Sequence, residues 1–350
     1  MNTLRYDHPT VQNDLRELAG EALPWHLFDR KTVVVTGANG MLATYLVYFF
    51  HYLYRTHGIR VRTIALSRNA GQMERLFGAL RTPDITELVA ADVCRPWPEM
   101  SCDWLFHLAG NASPYHIRTA PADILLANLQ GTLHALDTAR RCGSRLCFVS
   151  TREVYGEVTG LERLTEKDFG RLDPAESRSC YPESKRAAEA LLTAYHRQYG
   201  VHTTVVRMAH AYGPGMKLHD DGRVMADFMA AAVTGQPLVL HSTGDAERAF
   251  CYLTDALSGL LHAAMLGPAG EAYNLANELE PLPIREVARR VAAVDAAHPV
   301  EVRFDIPEQR DAAYCAYRRT ALDTGKLEAL GWKPRVSLDE GIRRTWESFR

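Results

Sequence analysis

The stretch Lys31–Phe50, KTVVVTGANGMLATYLVYFF, decides the fold. Its β-branched run, Thr32 to Val35, reads as a strand buried on both faces, and the apolar residues after Gly40 read as a helix. Between them Gly37, Gly40 and Ala43 are spaced G-x-x-G-x-x-A. Such a turn lets backbone amides approach a pyrophosphate at the N-terminus of a helix, and a small third residue lets helix and strand pack closely. The strand–turn–helix context turns a weak glycine pattern into a dinucleotide-binding expectation, with Gly37, Asn39, Gly40 and Met41 at the cofactor.

Working outward, further strand–helix units follow. VRTIALSRN (61–69) should end beside the adenosine ribose, where an acid would select NAD. Ser67 and Arg68 stand there instead, and Arg68 suits a 2′-phosphate, so NAD and NADP both stay open. ELVAADV (87–93) delivers Asp92 and Val93 toward the adenine, and DWLFHLAG (103–110) ends in Leu108, Ala109 and Gly110, small enough at its end for a cofactor to pass. The helix around Asn128 carries Leu125, Leu129, Leu133 and Leu136 at helical spacing, a stripe that reads as core or as a dimer seam. RLCFVSTREVYG (145–156) brings Thr151, Arg152 and Glu153 to the carboxyl end of a buried strand, where open α/β sheets bind ligands. Tyr181 and Lys185, in YPESK, share one face of a helix. A free phenol titrates near ~10, and a neighbouring ammonium favours the phenolate a base would need.

Composition narrows the function. The 350 residues are 47% hydrophobic and 23% charged, with a formal net charge of −2. That balance is ordinary for a globular protein and gives no field for nucleic acid or an anionic membrane. The seven cysteines are scattered without a C-x-x-C pair, which predicts reduced thiols and no zinc site. A polar N-terminus and the lack of an apolar run of ~20 residues predict a cytoplasmic protein. Residues 1–30 read as a helical lead-in that docks through Trp25, Leu27 and Phe28.

Taken in order, TGANGMLA, HLAG, the Asn128 helix, STREVYG and YPESK resemble the extended short-chain dehydrogenase/reductases, specifically their nucleotide-sugar epimerases, dehydratases and decarboxylases. The resemblance runs over about residues 31–349. It includes VVRMAHAYGPGMKLHDDGRV, the R-x-F-x-Y-x-x-D block at Arg248 and the closing LGWKPRVSLDEGI. It implies a doubly wound parallel sheet (Rossmann, α/β) over residues 1–206 with the lead-in, and a smaller nucleotide-sugar domain over 207–350, with interleaved boundaries. It also implies a homodimer built on the Asn128 helix and on Ala188, Leu191, Leu192 and Tyr195.

For chemistry, the resemblance implies that Tyr181 takes the proton of the sugar 4-hydroxyl while hydride leaves carbon 4. Thr151 would hydrogen-bond that oxygen, and Lys185 would lower the phenol's pKa and hold the nicotinamide ribose. The resulting 4-keto sugar can be reduced on its other face, lose carbon dioxide from a 6-carboxylate, or lose water from carbon 6. Dehydratases of the family carry Asp-Glu after the threonine; Arg152-Glu153 keeps the base and lacks the acid, which disfavours dehydration. Decarboxylases read Thr-Ser-Glu, and also resemble this chain at Cys180-Tyr181, Lys185-Arg186 and the DDGRV stretch. A UDP-glucuronate decarboxylase is therefore the first expectation, a 4-epimerase the second, a 4,6-dehydratase the third. A silent dinucleotide sensor is the reading from another class. Arg152 would hold a uronate carboxylate or form an ion pair with Glu153 or Glu157. Arg248 and Arg319 match pyrophosphate positions, and Lys217 would reach a carboxylate or phosphate.

Overall fold

The structure, a computed structural model, describes residues 4–82, 84–219, 221–306 and 320–350. Seven parallel strands form the central sheet. They are β1 (Lys31–Thr36), β2 (Val61–Ser67), β3 (Thr86–Ala90), β4 (Trp104–His107), β5 (Arg145–Thr151), and the strands His202–Met208 and Glu271–Leu275. From one edge the order is Glu271–Leu275, His202–Met208, β5, β4, β1, β2, β3. The order reverses between β1 and β4, which opens a crevice beyond their carboxyl ends.

Alternation along β1 shows why the sheet is covered twice. Val33 and Val35 face a cluster with α2 (Met41–His57) and α8 (Leu253–Leu266). Val34 faces the other way, toward α5 (Pro121–Cys142) and α6 (Cys180–Tyr199). A strand buried on both faces needs the near-continuous apolar run that the sequence carries. The 206/207 boundary falls inside the strand His202–Met208, and the segment 253–275 returns to the sheet as α8 and its edge strand. A second apolar cluster joins α7 (Val224–Thr234), α9 (Ile284–Ala292) and the closing helix Leu338–Glu347 with Leu238 and Leu240.

The lead-in is an integral part of the body. Helix α1 (Pro9–Ala19) buries Asp14, whose carboxylate accepts hydrogen bonds from Tyr45 (3.0 Å), Tyr252 (2.7 Å) and Arg344 (2.9 Å). Burial pushes the Asp14 carboxyl up to about 6, against the pull of those donors. Trp25 and Phe28 dock as expected, but Leu27 is 37% exposed, because a 3-10 turn over Trp25–Phe28 leaves it on the outer side.

The apolar residues read as core or as a dimer seam also divide. Leu136, Ala188 and Leu192 are buried inside the chain against the sheet, since α5 and α6 lie side by side on it. Leu126 (46%) and Leu133 (38%) remain exposed on α5.

Candidate active site

A groove of about 750 Å³ runs along the carboxyl ends of β1 to β4. Its lining gathers Gly37, Asn39, Gly40, Arg68, Asp92, Val93, Leu108, Ala109 and Gly110, nine positions that the sequence reading assigned to a cofactor. Gly37 makes the turn with φ +65°, and a Cβ there would lie 2.8 Å from the Ala109 Cα. Backbone cannot yield at that distance, so only glycine fits. Gly40 is the N-cap of α2, and Met41 is its first residue. The Met41 side chain is not part of the groove lining; it packs against both the sheet cluster and the second cluster.

At the adenosine end the Ser67 hydroxyl donates to Asn39 Oδ1 at 2.8 Å, and Asn39 Nδ2 donates to Gln72 at 2.9 Å. Asn39 is thus a brace between the glycine turn and the end of β2. Arg68 is exposed at the rim, and Asp92 Oδ1 accepts the Cys94 amide at 3.0 Å, which shapes its own loop. The buried His107 shares a 2.8 Å hydrogen bond with Thr36, which also accepts the Ala109 amide at 3.1 Å.

Gly110 links the groove to the reacting end. A Cβ at Gly110 would stand 2.9 Å from Asn128 Oδ1 and 3.2 Å from Lys185 Nζ. Asn128 is fully buried; its Nδ2 donates to Ser184 at 2.9 Å, while its Oδ1 has no partner. An orphaned buried acceptor beside a glycine, continuous with a glycine turn whose backbone amides donate, is the set of polar groups and space that an elongated dinucleotide fits.

Tyr181, Thr151 and Glu153 meet beyond it. Burial drives the Tyr181 phenol up to about 12, and the Glu153 charge pushes the same way. A hydrogen bond from the Thr151 side and the charges of Arg223 and Arg178 pull it back. Lys185 was expected to be the main downward influence, and the structure assigns its side chain differently. Its Nζ donates to the Val149 carbonyl at 2.8 Å and stands 4.4 Å over the Phe148 ring. Desolvation lowers its own pKa to about 7, with Glu189 pulling upward.

Glu153 has an unforeseen partner. Arg178 Nη2 donates to both Glu153 oxygens at 2.7 Å, and the side chains are only 16% and 23% exposed. The expected pairing of Arg152 with Glu153 is therefore not what holds this carboxylate. Arg152 is itself buried, and its Nη2 reaches the Thr320 carbonyl at 3.4 Å. Arg178 sits three residues before Tyr181 in the 3-10 turn Ser177–Ser179, a spacing visible in the sequence but masked there by the YPESK helix pattern. Arg223 reaches the site from the loop before α7, bidentate to the buried Asp221. That loop is fixed because Ser113 Oγ donates to the Asp221 carbonyl at 2.6 Å.

The other substrate-side expectations fall on the segments after α6. Lys217 is exposed after Met216, and Arg248 is half-buried on the strand Glu247–Arg248, donating to the Glu247 carbonyl at 2.8 Å. Arg319 lies outside the described residues.

Comparison with known proteins adds identity to this geometry. The family model described as "NAD dependent epimerase/dehydratase family" matches residues 33–276. UDP-glucuronic acid decarboxylase 6 of Arabidopsis thaliana is 34% identical over 91% of this chain and 88% of its own length. UDP-glucuronic acid decarboxylase 1 of Xenopus tropicalis is 33% identical over 92% of this chain and 73% of its own. A dTDP-glucose 4,6-dehydratase of Streptomyces venezuelae, solved with NAD bound, superposes with a TM-score of 0.76 at 25% identity, over 91% of this chain and 96% of that one.

Proposed function

The chain belongs to the NAD-dependent epimerase/dehydratase family, and from that premise we propose that it removes the carboxylate of a UDP-linked uronate, UDP-glucuronate first, through a transient 4-keto sugar. The observation that carries this reading is the pair after Thr151. The position where dehydration needs a proton donor holds Arg152, buried and turned to a carbonyl, while Glu153 is kept as a paired carboxylate by Arg178. Guanidinium groups donate without releasing protons, so Arg152 cannot be the acid for water loss from carbon 6. A carboxylate β to a ketone needs none, because the bonding pair of carbon 5–carbon 6 moves into the enolate as carbon dioxide leaves.

When bound, NAD supplies the acceptor that takes hydride from carbon 4 and returns it; Gly37, Gly40, Ala109, Gly110 and Asn128 would hold it. Tyr181 takes the 4-hydroxyl proton and gives it back, with Thr151 oriented on the same oxygen. Arg178 neutralises Glu153 beside the phenol and so limits that carboxylate's upward push. After carbon dioxide departs, the enolate takes a proton at carbon 5 from water that the Glu153 carboxylate orients. Lys185 holds the nicotinamide ribose. Arg68 at the rim leaves room for NADP, with NAD taken as the working cofactor. We also propose a cytoplasmic homodimer joined through the outer face of α5, where Leu133 is exposed.

The test is product mass from the purified protein with NAD and, separately, NADP, against a panel of nucleotide sugars. Loss of carbon dioxide from UDP-glucuronate is the expected result. A new isomer at unchanged mass would replace it with 4-epimerisation, and loss of water would show that the acid comes from elsewhere. Cofactor bound with no turnover on any sugar would mark a sensor.

A further inference from the structure

One buried ion pair adjoins the reacting groups and is used by none of the roles above. Arg207, on the strand His202–Met208, gives Nη2 to Glu189 Oε2 at 2.7 Å and Nε to the two carboxylate oxygens at 3.2 and 3.1 Å. The Arg207 and Glu189 side chains are 6% and 13% exposed. The remaining Arg207 nitrogen, Nη1, donates to the Tyr155 hydroxyl and to the Glu166 carbonyl, each at 3.0 Å. An apolar pair of the same volume would hold the layers together as well as a buried ion pair does. What the fork of hydrogen bonds adds is direction. The further group it directs is Ser150, whose Oγ donates to Glu189 Oε1 at 2.5 Å.

Ser150 stands where β5 outruns its neighbour. The ladder with β4 stops at His107 against Phe148, whereas the ladder with His202–Met208 runs on to Thr151 against Met208. Among the described residues, Val149, Ser150 and Thr151 are thus laddered on one side. Side chains alternate along a strand, so Ser150 faces as Phe148 does, toward α6. Tyr181, Lys185 and Glu189 follow at four-residue intervals along α6 and share a face. Two side chains of that face grip the overhang, Lys185 at the Val149 carbonyl and Glu189 at the Ser150 hydroxyl. In the role proposed above Lys185 turns to the nicotinamide ribose, which leaves the grip to Glu189. The next residue is Thr151, whose Oγ1 accepts the Glu153 amide at 3.2 Å and whose side chain hydrogen-bonds with Tyr181.

We propose that Glu189 is a positioning residue: anchored by Arg207 and acting through Ser150, it holds the overhanging end of β5 to α6, so that the Thr151 hydroxyl meets the oxygen on which Tyr181 acts. The inference rests on the reading of Thr151 and Tyr181 as partners on one sugar oxygen, and is independent of which sugar reacts. A pair that only packs the layers would contribute to stability and leave the aim of Thr151 unchanged.

The experiment is a double-mutant cycle on turnover of the nucleotide sugar that the purified chain accepts with NAD. Glu189→Gln leaves the buried Arg207 guanidinium uncompensated and endangers the fold, so the link is cut at Ser150. Ser150→Ala should lower kcat about 30-fold, with KM and NAD affinity unchanged. In a Thr151→Ala background, where no hydroxyl is left to aim, the same change should cost less than about twofold. An equal loss in both backgrounds reduces the contact to packing and overturns the proposal. A second arm needs no substrate: hydrogen–deuterium exchange across residues 149–153 should quicken about tenfold in Ser150→Ala, with β1 and β4 unchanged. Unchanged exchange there also overturns the proposal. A chain that turns over no nucleotide sugar would remove the proposed activity instead, and the exchange arm alone would then decide whether Glu189 holds the end of β5.

Discussion

Along the groove the walls are backbone and small side chains: Gly37 against Ala109, Gly110 against Asn128, Gly40 capping α2. Around Tyr181 the same distance is filled by charge: Glu153 on Arg178, Arg223 on Asp221, Lys185 on a carbonyl. The first region recognises by leaving room, and any added atom disturbs it. The second acts by balancing ions in a buried place, where removing one partner leaves the other uncompensated. The two regions should therefore fail differently when altered, the groove in affinity and the pocket in rate and pH dependence.

Tyr181→Phe makes the sharpest separation. Losing the proton carrier should lower turnover by roughly 10³-fold, while NAD affinity measured by fluorescence titration stays within twofold. A comparable loss of NAD affinity would merge the two regions into one. Next in size, Arg178→Gln should cost on the order of 10²-fold in kcat. The sign of its pH effect is specific: with Glu153 unpaired and a cation gone, the phenol's pKa rises further, so the alkaline-going limb of the kcat/KM profile moves to higher pH. Glu153→Gln should move that limb the other way, and the double variant should fall well short of the sum. A pH profile unmoved by both would reduce the pair to a structural contact.

The two regions also differed in how much of them was legible in the chain. The groove comes from local pattern: the strand, the glycine turn and the start of the helix are contiguous, so Gly37, Gly40 and Gly110 were readable from spacing. The pocket comes from pairs set by packing. Arg178 meets Glu153 across 25 positions, and Arg223 is brought in by a loop that docks on Ser113. No period in the sequence encodes such meetings. Lys185 was read as sharing a helix face with Tyr181, but helical spacing does not say that its amine will be buried and find the Val149 carbonyl. The Asp14 hub was missed for the same reason, since its partners lie on α2, at the start of α8 and on the closing helix.

Gly37→Ala tests the groove by its own rule. A β-carbon 2.8 Å from the Ala109 Cα, at φ +65°, forces the turn to open. NAD affinity should fall about 30-fold, and unfolding free energy should fall by about 1–3 kcal/mol, with kcat at saturating NAD reduced by less than fivefold. A kcat loss without an affinity loss would show that the turn shapes the pocket rather than the groove.

The smallest effect falls where the two regions meet, at Lys185. Its folded pKa, about 7, lies below the ordinary lysine value, because burial penalises the ammonium. Below pH 7 the amine is charged in both the folded and unfolded chain, and folding bears the full desolvation cost. Between pH 7 and the ordinary lysine value the unfolded chain binds the extra proton, so this group makes stability rise with pH through that window. Lys185→Met keeps the length and removes the charge. It should stabilise the fold by about 1 kcal/mol at pH 7, a gain that shrinks toward pH 10 in denaturant titrations. A variant that loses stability at pH 7 would mean that the bond to Val149 outweighs the buried charge, and that the pocket's cation is held there by structure rather than carried at a cost for function.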